Sequence, residues 1–89
     1  MKKRKGDVHY YLEKNDGIYH LVKRVKTFSK KLTPDGVKTT LLTVSDFFFN
    51  KDNFYNVDFS ANGLREKDKA IIEMMIIEIE NAENGTLQP

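Results

Sequence analysis

Residues 64–84 read LREKDKAIIEMMIIEIENAEN, and Gly85 follows. Leu, Ile, Met, Glu and Lys form helices readily, and neither Gly nor Pro interrupts the run. Leu64, Ile71, Met75, Ile79 and Ala82 recur on one stripe, with Ile72 and Ile76 beside it. At about 100° per residue, Glu66, Lys69, Glu73, Glu80 and Asn84 fall on the opposite side. The spacing predicts an amphipathic helix, with Asn62 as N-cap and Gly85 in the left-handed position past its end.

Two features of this helix look outward. Ala70, Met74 and Ile77 lie off the stripe, either as ordinary apolar surface or as a second contact edge. Met74 and Ile77 are therefore candidate partner-binding residues, and a homodimer through the C-terminal helix is one expected use of them. Glu78, Glu80 and Glu83 crowd the C-terminal end, where the helix dipole favours cations. They read either as a solvated acidic face or as a patch meant for a basic surface.

Such a helix needs a surface to cover, and the upstream chain reads as a sheet. VHYYLEK (8–14) and IYHLVKRVKTF (18–28) flank Asn15-Asp16-Gly17. Asp-Gly between β-rich runs is a hairpin signal. A two-residue turn sets Leu12 opposite Leu21, Val8 opposite Val25 and Tyr10 opposite Lys23. The other face then pairs Glu13 with His20, Tyr11 with Val22 and His9 with Arg24. A one-residue slip mixes polar with apolar and is penalised wherever one face is buried. Residues 18–28 also fit helical spacing, but their β-branched and aromatic content favours a strand.

Residues 29–36 read as a loop closing on a Pro34-Asp35-Gly36 turn. VKTTLLTV (37–44) reads as a third strand, and FYNVDF (54–59) as a fourth, with a polar turn at 50–53. Residues 45–50 fit either strand or a short helical turn. Six aromatics lie between Phe47 and Phe59, more than one covered face holds. Phe47, Phe49 and Phe54 are accordingly candidate anchors for a partner, beside the plainer reading that they fill the rim of a small core.

The expected architecture is α+β: an antiparallel sheet of about four strands with one C-terminal amphipathic helix packed on one face. Residues 1–6 are expected to be a flexible basic arm, 7–85 a single domain and 86–89 a tail. Eighty-nine residues suffice for one modest core.

The chain has no cysteine, hence no disulfide framework or thiolate metal site. No apolar segment follows the basic start, so a cytoplasmic location is expected, with no membrane partner. Lys, Asn, Ile, Phe, Tyr and Met number 38 against 13 for Gly, Ala, Arg and Pro, a balance that suggests an AT-rich bacterial, phage or plasmid genome. No Gly-rich phosphate loop or nucleophile elbow is present. His9 and His20 lie too far apart along their strands to share a metal. No enzyme, cofactor or metal is expected.

Charge is unevenly spread. Residues 1–38 carry a balance of +7 and residues 39–89 a balance of −5. Two functional expectations result. The leading one is a small non-enzymatic protein–protein interaction protein, an inhibitor or accessory factor of phage or plasmid origin. The alternative is a nucleic-acid-binding module. In it Lys2, Lys3, Arg4, Lys5, Arg24, Lys26, Lys30 and Lys31 meet phosphates while His9 and Tyr11 stack on bases.

Overall fold

The computed structural model of the chain describes residues 1–33 and 36–85, and between 28 and 38 the strand backbone only. Pro34, Asp35, the 86–89 tail and the side chains of Lys30 and Lys31 lie outside the described residues. Four antiparallel strands run in chain order across one sheet: β1 (Lys2–Lys5), β2 (Val8–Asn15), β3 (Ile18–Thr33) and β4 (Gly36–Asn50). A 3-10 segment, Lys51–Asn56, leads through turns to α1, Glu66–Glu83.

The β2–β3 hairpin has the expected register at every position, from Val8 opposite Val25 to Asn15 opposite Ile18. Asp16 and Gly17 both adopt positive φ, 50° and 80°. That is the backbone of a two-residue turn whose twist matches the strands it joins. Period-2 alternation then sends Tyr10, Leu12, Tyr19 and Leu21 to one face, where α1 covers them.

Four expectations are corrected. Residues 2–5 are not a loose arm but strand β1, turned by Gly6-Asp7 so that Lys5 lies opposite Val8. The Met1 backbone nitrogen and oxygen both bond to Leu12, at 2.8 and 2.9 Å, which extends the pairing to its end. The backbone of 29–33 continues β3 instead of looping, and 45–50 continues β4. Residues 54–59 are not a strand. Asn50 and Asn53 exchange side-chain-to-backbone bonds of 2.9 and 3.0 Å, which start the 3-10 segment instead. Asn62 does not cap α1. Its side-chain amide donates to the Asp58 carbonyl, and the helix begins after Arg65.

The core comprises Tyr10, Leu12, Tyr19, Leu21, Phe49, Phe54, Leu64, Ile72, Met75 and Ile76. Phe49 stacks on Tyr19 and touches Phe54, whose edge meets Phe59. Gly85 takes the predicted left-handed conformation at φ 68°. The helix is turned, however. Ile72 and Ile76 are buried, Ile71 and Ile79 only half-buried, and Ala82 exposed. This is a rotation of roughly 50° from the apolar stripe, taking 3.6 residues per turn.

The cause is Asp68, which is fully buried. Its carboxylate accepts from the Tyr10 hydroxyl, from Lys23 Nζ at 2.7 Å and from the Arg65 backbone N–H at 2.8 Å. Burial pushes this carboxyl up. The bonds from Lys23, Tyr10 and Arg65 and the Lys23 charge outweigh that and hold it below its ordinary value. Burial and the bond to Asp68 push the Tyr10 hydroxyl up, so it stays a donor.

Two predictions concern stability. Met75→Ala should lower the unfolding free energy by about 2–5 kcal/mol in urea titration. Met74→Ala, one position along and exposed, should change it by less than about 0.5 kcal/mol. Asp68→Asn leaves Lys23 buried without a counter-charge and should cost about 3–5 kcal/mol at neutral pH. A lowered folded pKa means that Asp68's contribution is complete above about pH 3.9 and is lost as pH falls through the folded value. The stability gap between wild type and Asp68→Asn should therefore close on acidification below that point.

Candidate functional site

The two faces of the sheet carry cations of different fate. On the face that α1 covers, Lys3 Nζ lies 3.1 Å from Glu78, and Lys14 Nζ lies 2.8 Å from Glu83. Lys51 Nζ, just past β4, reaches Glu80 at 2.8 Å. Glu80 also accepts from the Tyr19 hydroxyl at 3.0 Å, and the Lys51 bond leads the causes that hold its carboxyl low. The acidic end of α1 thus meets a basic surface belonging to the same chain. These pairs are solvent-exposed, so their worth lies in neutralisation more than in stability.

The open face keeps its charge. Register places Lys2, Arg4, His9, Tyr11, His20, Val22, Arg24 and Lys26 on it. A groove of about 600 Å³ crosses this face between Lys2 and Arg4 on β1 and Leu41 and Asp46 on β4. A second depression of about 220 Å³ continues past Arg4 and His9 to Lys26 and Thr40. Val22, only 6% exposed although no helix covers it, lies among the groove-lining residues, between Tyr11 and Asp46 in register. Among the described residues of this face, Lys2, Arg4 and Arg24 border the groove, and Glu13 and Asp46 are the carboxylates.

Both carboxylates are engaged locally. Asp46 lies 2.6 Å from His20 Nε2, and the His20 ring stacks on Phe48 at 4.3 Å between centroids. Glu13, the expected partner of His20, is opposite it in register but does not take its ring. A hydrogen bond to Glu13, followed by burial, pushes the Tyr11 hydroxyl up, so Tyr11 remains neutral. Among the described residues no three His, Asp or Glu side chains converge to hold a metal ion.

The structure sorts the sequence-derived candidates. Lys2, Arg4, His9, Tyr11, Arg24 and Lys26 come together on the open face. Lys3 and Lys5 alternate to the other face, because a four-residue strand divides its side chains equally between two sides. Of the candidate partner anchors, Phe49 and Phe54 are buried in the core and Phe47 is half-buried against it. Among the described residues the exposed aromatics are Phe48 and Tyr55 instead, each at 67%. Met74 and Ile77 are exposed as expected, at 55% and 57%. Sequence reasoning missed Lys2–Lys5 as a strand although Gly6-Asp7 is itself a two-residue turn signal. It also missed His20 and Phe48 as a stacked pair, which requires knowing that β4 continues through 45–50.

No family model, curated protein or solved structure matches this chain. No helix among the described residues is long and apolar enough to cross a membrane.

One prediction tests the neutralising role of the covered-face pairs. Glu78→Gln should change the unfolding free energy by less than about 1 kcal/mol. It should free Lys3, which would show as an increased salt-sensitive retention on a cation-exchange column.

Proposed function

We propose that the open face of the sheet binds single-stranded nucleic acid, reading phosphates with its cations and stacking bases on its rings. One observation carries the reading. Glu78, Glu83 and Glu80 at the C-terminal end of α1 are taken up by Lys3, Lys14 and Lys51, while Lys2, Arg4 and Arg24 border a groove with Tyr11, His9 and the His20–Phe48 stack. A basic channel interleaved with flat rings is the chemistry that non-specific single-strand binding needs. An exposed sheet suits unstacked bases better than duplex, whose bases are hidden in grooves.

A second reading, a protein partner, is favoured by the exposed Met74–Ile77 edge of α1. It is the form in which an inhibitor or accessory factor of a phage or plasmid would act. Protein partners retained after nuclease treatment, and lost in Ile77→Glu, would favour it over nucleic acid.

Fluorescence anisotropy with labelled oligonucleotides tests the main proposal. Single-strand affinity should fall steeply with salt. Arg4→Gln and Arg24→Gln should each reduce the log–log slope by about 0.7, the value for one lost contact to a single strand. Tyr11→Ala should weaken binding by about 1–3 kcal/mol through lost stacking. Lys3→Gln, on the covered face, should leave affinity nearly unchanged. Absence of binding at low salt would remove this function, and a preference for duplex would exclude stacking as its basis.

A further inference from the structure

The sheet has two edges of opposite character. Strand β1 is four residues long and all four are cations. Such an edge resists pairing, since a second copy would bring like charges face to face. Strand β4 has 15 residues, and its stretch Thr39–Ser45, TTLLTVS, holds no charge and three threonines and a valine. Thr39 to Val44 are six consecutive exposed residues, so neither face of this segment is covered. Leu41 and Leu42, on opposite faces, are 48% and 56% exposed. The β2 register ends at Val25, opposite Leu42, so Thr39 to Leu41 lie in a two-stranded extension of β3 and β4, while Leu42 and Thr43 edge the sheet proper.

The free edge has a defined limit. The β3–β4 register shifts between Lys23 and Arg24, which leaves Val44 as the extra residue of a bulge. Gly63, at φ 77°, lies so close that a Cβ there would come within 2.5 Å of the Val44 carbonyl oxygen. The loop before α1 therefore closes the edge at Val44. Thr39 to Thr43 remain open.

We infer that this edge pairs with the same edge of a second copy of the chain, antiparallel and about a two-fold axis normal to the sheet. Residues opposed across such an axis lie on the same face, so the sum of their positions is even. Centred on Leu41, the pairing sets Leu41 against its mate, Leu42 against Thr40 and Thr43 against Thr39. Each pair is apolar or β-branched, and each contributes to an antiparallel ladder. Centring on Leu42 would run the ladder into the Val44 bulge. The arrangement is isologous and closes on itself, whereas a β4-to-β1 contact would propagate without end. The axis turns both open faces the same way and puts both helices on the far side. The grooves then lie on one eight-stranded surface. The dimer stands without the nucleic-acid reading, and only its use to lengthen the binding track rests on that reading.

The paired stretch is short, so association is weak, and sedimentation of the full chain at tens of micromolar is the measurement. The expected result is a species of twice the 10.4 kDa chain mass that Leu41→Lys converts to monomer. Ile77→Glu should leave it intact. Because Leu41 is exposed, the variant should keep its fold, and hydrogen exchange supplies a second reading. The amides among residues 39–43 that face away from β3 should be protected in the wild type at high concentration and lose that protection on dilution or in Leu41→Lys. A monomer throughout the range overturns the inference. So does a dimer that survives Leu41→Lys and dissolves in Ile77→Glu, or a ladder of larger species. A dimer that binds no oligonucleotide overturns only the proposed function.

Discussion

Asp68 sits at the third position of α1, fully buried between the helix and the sheet, and three other parts of the chain meet on its two oxygens. Tyr10 comes from β2, Lys23 from β3 and the Arg65 N–H from the turn before the helix. A buried carboxylate is costly unless each oxygen finds a donor and a cation stands beside it. Both conditions hold here, and together they leave α1 one rotation and one axial position. Ile72, Met75 and Ile76 then enter the core as neighbours of Asp68 on the same helical face. The apolar stripe alone would have favoured Ile71 and Ile79. A geometry-specific bond set can win this contest because α1 is apolar on most of its circumference. Hydrophobic burial changes little over such a turn, while loss of the Asp68 partners costs several kcal/mol.

The same rotation decides the charge pattern. It brings Glu80 beside Tyr19 and Lys51, and it places Glu78 and Glu83 over Lys3 and Lys14. The basic first half and acidic second half of the chain are thereby converted into two faces. One is nearly neutral, where strand lysines meet helix glutamates, and one is basic, where no helix lies. Glutamates at a helix C-terminus oppose its dipole by about 0.3–1 kcal/mol each when exposed. Lysines reaching over from the sheet offset that placement. Met74 and Ile77, already off the apolar stripe, stay outward after the rotation, whereas Ile71, Ile79 and Ala82 are the stripe residues that it moves away from the core.

What was legible in the sequence is what backbone periodicity and local turn chemistry determine. Asp16-Gly17 is a short-range signal, and alternation on either side admits one register, so the whole β2–β3 ladder followed from it. The 3.6 period identified α1, and Gly85 marked its end. The class of the fold followed from those two. Most of the open-face candidates were legible too, because once register is known, every second residue shares a face.

Tertiary structure alone decided the features whose partners are distant in sequence. Tyr10 and Lys23 lie 58 and 45 residues from Asp68, and nothing within a helical turn of Asp68 announces that it is buried. Strand β1 has no apolar residue of its own. It exists because Gly6-Asp7 returns it to β2 and the Met1–Leu12 backbone bonds close its far end, and Lys3 is then neutralised by Glu78, 75 residues away. The residues from 54 to 59 have the composition of a strand. β4 already runs unbroken to Asn50, and the Asn50–Asn53 cap turns the chain into a 3-10 segment that drives Phe54 into the core. Period and turn residues are set by the steric limits of a few consecutive peptides, so the sequence shows them. Helix rotation, pairing of a charged strand and the burial of one aromatic rather than its neighbour are set by which groups meet in space, and only the assembled fold specifies that.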